Sequence, residues 1–271
     1  MERALLSALN WWDVSGLDVP EIKPAAPKRK KSAPTHTPAQ TPVKGSARQI
    51  AARKTAAARP VTPAPAAPSV EPSAAQGIAQ KAKTLADLHA AISAFNAGEL
   101  SDSARQAVFA RGNPNADIMV IGEAPGVNED RAGKPFIGPT GQFLDRIFAS
   151  IGLTDDDLYI TNVINWRPPG DRSPTPEDVA LCLPFIQRHI ALKKPKLIIL
   201  VGGVSMGALT TLKGITKTRG QWVDVAAGEH SAPALIVYHP AYLLRRPDLK
   251  ADMWRDMLSL RAKIADMKNG L

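Results

Sequence analysis

The chain has 271 residues, 34 of them Lys or Arg and 25 Asp or Glu, for a formal net charge of +9. The excess is local: residues 21–84 hold 12 basic side chains, 2 acidic ones and 10 prolines, whereas residues 85–271 hold 21 basic and 20 acidic ones. The basic pI therefore belongs to one segment and excludes reading the rest as a basic fold. A single cysteine, Cys182, excludes an internal disulfide, a four-cysteine zinc site and an iron–sulfur cluster held by four cysteines of one chain. No apolar run approaches the roughly 20 residues that a membrane helix needs. The N-terminus carries Glu2 and Trp11-Trp12-Asp13 in place of a signal pattern, so the expectation is a cytoplasmic protein with no membrane partner.

In chain order, Leu5, Leu6, Leu9 and Trp12 recur at helical spacing, which predicts a short amphipathic helix within residues 1–19 that either docks on the domain or binds a partner. Residues 20–83 are rich in Ala, Pro, Lys and Arg and poor in large apolar side chains, the composition of a disordered linker. Its cluster Lys28-Arg29-Lys30-Lys31 is either a solvated stretch or a weak, salt-sensitive attractor of nucleic-acid phosphates. From residue 84 to 271 the pattern is that of one folded domain. Thr84 caps a helix over 84–97, and further helices are predicted over 140–151, 176–192, 204–212 and 248–265. Between them lie four short apolar runs, 117–122, 158–162, 197–202 and 234–238, which read as buried strands. Such alternation predicts an α/β fold with a parallel sheet covered on both faces. Ligands then bind at the carboxyl ends of the strands.

The residues after those strands are accordingly the candidates for chemistry. Gly122-Glu123-Ala124-Pro125-Gly126 forms a loop whose backbone can approach a ligand, or a mere tight turn; it is neither a dinucleotide fingerprint nor a P-loop. Phe136, between Pro135 and Gly138, is either core or a stacking platform for a planar ligand. Asn162 either caps a turn or reads a nucleobase edge with its donor and acceptor. His239 precedes Leu243, Leu244, Arg245 and Arg246. It is either a turn histidine beside a solvated helix end, or a group that stabilises a developing anion next to apolar wedges and phosphate-binding arginines.

Taken together and in order, Gly122–Gly126 with Glu129-Asp130, Pro135–Gly138, Gly141–Asp145, Ile160–Asn162, Trp166–Pro169, Ile215–Trp222 and His239–Arg245 resemble the family 4 uracil-DNA glycosylases over roughly residues 84–266. The resemblance implies a three-layer α/β/α sandwich with a four-stranded parallel sheet, and excision of uracil from DNA by base flipping. It implies that Phe136 stacks on the flipped uracil and that Asn162 reads its polar edge. His239 would donate to uracil O2 as charge develops, and Glu123 and Ala124 would lie beside sugar and base. Leu243 would enter the vacated space, with Arg245, Arg246 and Arg219 as further DNA contacts. The expected partner is uracil-containing DNA, met by a monomer associated with the nucleoid.

Two departures from the family pattern stand out. Its members bind a four-iron cluster through four cysteines, but here Gly98–Ser103 has none, Trp166 occupies the third position and Cys182 alone matches the fourth. No cofactor and no metal are therefore expected. Ala124 stands where the related family 1 enzymes carry an Asp, leaving Glu123 as the nearest carboxylate by sequence. No lysine occupies a strand end as a Schiff-base nucleophile, so strand cleavage is not expected. The competing class is a non-catalytic DNA-binding scaffold that kept the fold.

Overall fold

Four short apolar runs pair side by side because each is buried on both faces and must pass all its backbone hydrogen bonds to neighbours. The structure, a computed structural model, describes residues 71–270. The strands are β1 (Ala110–Gly112), β2 (Ile118–Gly122), β3 (Leu158–Asn162), β4 (Leu197–Val201), β5 (Trp222–Ala227) and β6 (His230–Val237). They form one sheet in the order β1-β3-β2-β4-β6-β5. β3, β2, β4 and β6 run parallel, as expected. The four-stranded sheet is extended by β1, antiparallel to β3, and by β5, antiparallel to β6. β1 escapes a sequence reading because three residues, Ala-Arg-Gly, show no period. β5 turns back through Gly228 (φ +61°) into the front half of β6, so that strand begins at His230, ahead of the expected 234.

The helices are α1 (Pro72–Lys81), α2 (Leu85–Ala94), α3 (Glu99–Ser103), α4 (Val127–Ala132), α5 (Pro139–Ala149), α6 (Pro176–Lys193), α7 (Gly203–Leu209), α8 (Ile215–Thr218), α9 (Pro240–Arg245) and α10 (Lys250–Lys268). One sheet face, with Val120, Ile160, Ile199 and Val237, is covered by Leu144, Ile147 and Phe148 of α5 and by Met253 and Met257 of α10. The other, with Met119, Tyr159, Ile198 and Ile236, packs against Phe185, Ile186 and Ile190 of α6, with α1 and α2 outside. This is the expected three-layer sandwich.

One boundary needs correction. The composition predicts a linker up to residue 83, yet Pro72–Lys81 is helical, with Ala75 and Ala79 buried toward α6. Alanine-rich sequence reads as linker because it lacks large apolar groups. Alanine is also the best helix former, and its small side chain lets two helices approach closely. Arg188 of α6 closes the contact by donating to the Ala82 carbonyl at 2.9 Å. The expected N-terminal helix, and the linker as far as residue 70, lie outside the described residues.

Candidate active site

The carboxyl ends of β2, β3 and β6 open on one cleft of about 620 Å³. Its lining includes Glu123, Ala124, Phe136, Asn162, His239 and Arg245, so six of the nine expected site residues come together. The far wall is the loop Pro168–Pro174, including Asp171 and Arg172, and Tyr242 joins the near wall. Asp171 and Tyr242 were not anticipated; they occupy a loop and a short helix whose orientation no local pattern reveals.

Gly122 sets the geometry at the centre. A Cβ there would lie 2.3 Å from the Phe136 ring and 2.4 Å from Asn162 Oδ1, so a glycine alone lets both side chains cross the end of β2. Phe136 is buried and held at φ +53°, a left-handed conformation that a bulky residue keeps only when its surroundings impose it. Asn162 is buried as well, and its Oδ1 is the one buried side-chain oxygen or nitrogen without a hydrogen-bond partner among the described residues. A buried polar atom without a protein partner is costly, so such an atom beside a cleft is suited to accept from a ligand donor.

His239 caps the short helix α9. Its Nδ1 accepts from the Ala241 N–H at 3.3 Å, which leaves the proton of the neutral ring on Nε2. Burial, helped by the charge of Arg245, pushes its pKa down to about 4 from an ordinary 6.5, so the ring is neutral at physiological pH. The ring centroids of Phe136 and His239 are 6.0 Å apart. Burial raises the pKa of the Glu123 carboxyl above its ordinary value.

The remaining expected contacts fare differently. Leu243 is 0% exposed and packs in the core, not on the cleft surface where a wedge would stand; Leu244, 51% exposed, is the apolar side chain that faces out. Arg219 is also corrected. It bonds Asp256 and the Asp252 carbonyl and lies over the Tyr238 ring, bracing α8 against α10. Arg246 lies outside the cleft and pairs with Asp248 on the surface.

The iron–sulfur cluster implied by the resemblance does not fit the residues present. Trp166, at a ligand position, is buried against Phe95 (6.2 Å between ring centroids) and Phe185 (6.4 Å). Cys182 is fully buried, and loss of water pushes its thiol up to about 12, far from the thiolate that ligates metal. Among the described residues no three His, Cys, Asp or Glu side chains cluster as a metal site. The segment that lacks the other cysteines is fastened by different means. Buried Asp130 accepts from the Arg105 N–H at 2.8 Å, and Arg172 pairs with Asp178 and reaches Glu99 at 3.8 Å.

A family model described as the uracil DNA glycosylase superfamily matches residues 109–258. The Type-4 uracil-DNA glycosylase of Pyrobaculum aerophilum is 35% identical over 178 residues, 64% of this chain and 91% of the relative. That of Archaeoglobus fulgidus is 37% identical over 54% of this chain and 75% of the relative. That of Sulfurisphaera tokodaii is 37% identical over 57% and 73%. With the family match spanning more than half of its length, this chain belongs to the uracil DNA glycosylase superfamily, on the type-4 branch.

Proposed function

We propose that this chain is a DNA repair glycosylase that flips uracil out of DNA and hydrolyses its N-glycosidic bond, leaving an abasic site. The observation that carries this reading is the unpartnered Asn162 Oδ1, facing the same cleft as the ring of Phe136 and His239. Uracil offers an N3–H between two carbonyls, which an amide oxygen can accept. Cytosine offers a lone pair at that position, so two acceptors would face each other, unpaired and buried. Phe136 supplies the flat surface on which the extruded base stacks.

As the bond from N1 to C1′ breaks, the sugar gains positive and the base negative charge. The neutral His239 donates its Nε2 proton in a hydrogen bond to the O2 where that charge gathers, while the ring stays neutral. A fixed dipole of this kind is worth about 3–4 kcal/mol in a water-poor site. Glu123 takes a proton from the water that adds to C1′. The cleft lining holds no lysine, the group a Schiff-base mechanism would need, which supports hydrolysis without strand cleavage. Leu244 takes the place of the departed base, and Arg245 holds the backbone phosphates. The packed Phe95, Trp166 and Phe185 do the structural work of a cluster, so the enzyme acts without iron.

The full chain, incubated with uracil-containing duplex and single-stranded oligonucleotides, should release free uracil and leave strands that break only on later treatment with hot alkali. Binding of the same oligonucleotides without release of uracil would favour the scaffold class instead.

A further inference from the structure

The turn that presents Phe136 is held from three sides. Arg111, on the edge strand β1, donates from Nε to the Pro135 carbonyl at 3.0 Å, while its other nitrogens pair with Asp145 of α5 and Asp155 before β3. The arginine side chain is 9% exposed, against 42% and 69% for its carboxylate partners. From the other side, Glu129 Oε1 accepts from the N–H groups of Ile137 (3.0 Å) and Gly138 (2.8 Å), and Oε2 accepts from Gly126 (3.1 Å). Beneath the turn, a Cβ on Gly141 would lie 1.8 Å from the Phe136 carbonyl oxygen, so α5 packs directly against that peptide. On the turn itself, Arg111 and Glu129 bond backbone groups: the Pro135 carbonyl before the left-handed residue, and the Ile137 and Gly138 N–H groups after it.

We propose that Arg111 and Glu129 are positioning residues for substrate stacking: they clamp the peptides on either side of Phe136 and so hold its ring at the height the flipped base must meet. An arginine suits the first role because its fork serves a carbonyl and two carboxylates at once, which a single ammonium cannot do. The inference rests on the uracil-excision reading.

The test is a set of double-mutant cycles on the full chain, reading single-turnover uracil release at saturating enzyme together with the thermal midpoint of each variant. Phe136→Ala should slow release about 10- to 100-fold, the range that loss of base stacking allows. Arg111→Ala and Glu129→Gln should each slow it about ten-fold in the wild-type background and less than about two-fold in the Phe136→Ala background. Arg111→Lys should recover the midpoint, because it keeps a charge beside Asp145 and Asp155, without recovering the rate. Should Arg111→Ala not fold, Glu129→Gln and Arg111→Lys carry the test. Equal losses in both backgrounds, or a rate that returns with the midpoint in Arg111→Lys, would overturn the clamp. A wild-type chain that releases no uracil would overturn the excision reading itself.

Discussion

Asn162 and Trp166 are near neighbours at the end of β3, yet they sit in opposite kinds of environment. Around Asn162 the cleft holds an unpaired amide oxygen, a phenylalanine at positive φ and a histidine kept neutral by burial. Around Trp166 the packing is complete: Phe95, Phe185 and Cys182 fill the interior against α2 and α6. The first region holds an unpaired acceptor that a ligand donor can meet; the second is filled by apolar packing. The cleft and the packed interior are thus lined by residues only four positions apart in the chain.

The largest expected effect lies in the packed region. Trp166→Ala opens a cavity in a fully buried aromatic cluster and should cost about 3–5 kcal/mol of stability. Thermal or denaturant unfolding checks that, while uracil release per folded molecule should stay near wild type. A rate that falls much further than the folded fraction would show the aromatic cluster to be part of the site.

His239→Ala tests the other region. It should lower single-turnover release by about 100- to 1,000-fold with DNA binding nearly intact, since the donated bond strengthens as the base departs. Because its pKa lies near 4, the wild-type rate should show no inflection around pH 6.5 from this group. The same shift bears on stability. The folded histidine binds a proton less readily than the unfolded one, so its contribution is full above 6.5 and drains away as pH falls toward 4. An inflection in rate near 6.5 that vanishes in the His239→Ala variant would contradict the neutral ring.

Asn162→Asp sharpens the claim about the unpaired oxygen. Uracil release should fall about 10- to 100-fold, as a charged acceptor is buried where an amide read the base. Slow cytosine release should become measurable, because a carboxylate accepts from the exocyclic amine. Equal losses on both bases would remove Asn162 from base reading. The smallest effect belongs to the rim: Leu244→Ala should slow release by about ten-fold or less, and conservative Leu243→Met should leave it unchanged.

Much of the cleft was legible because an apolar run followed by Gly, Asn or His places those residues at a strand end whatever the details of packing. Glu123, Asn162 and His239 follow from this rule, whereas Phe136 stands out as an aromatic in a loop bounded by Pro135 and Gly138. Leu243 misled because, within a single helical turn, adjacent residues differ by about 100° in direction. Spacing from His239 cannot say that Leu243 faces the core and Leu244 the outside. Arg219 misled for a different reason. Its partners Asp252 and Asp256 lie on α10, so nothing in its own segment shows the charge to be already paired. The clamp on Phe136 was hidden likewise, since Arg111 reaches carboxylates and a carbonyl supplied by three separate segments.

The central claim is that uracil excision proceeds here on a frame stabilised by aromatic packing in place of an iron–sulfur cluster. Measuring iron content and single-turnover uracil release on one sample of the full chain tests it most directly. The account predicts complete release from a saturated oligonucleotide by protein with far less than one iron per chain, unchanged by a chelator. Absence of release, or a released amount that rises and falls with bound iron, would contradict it.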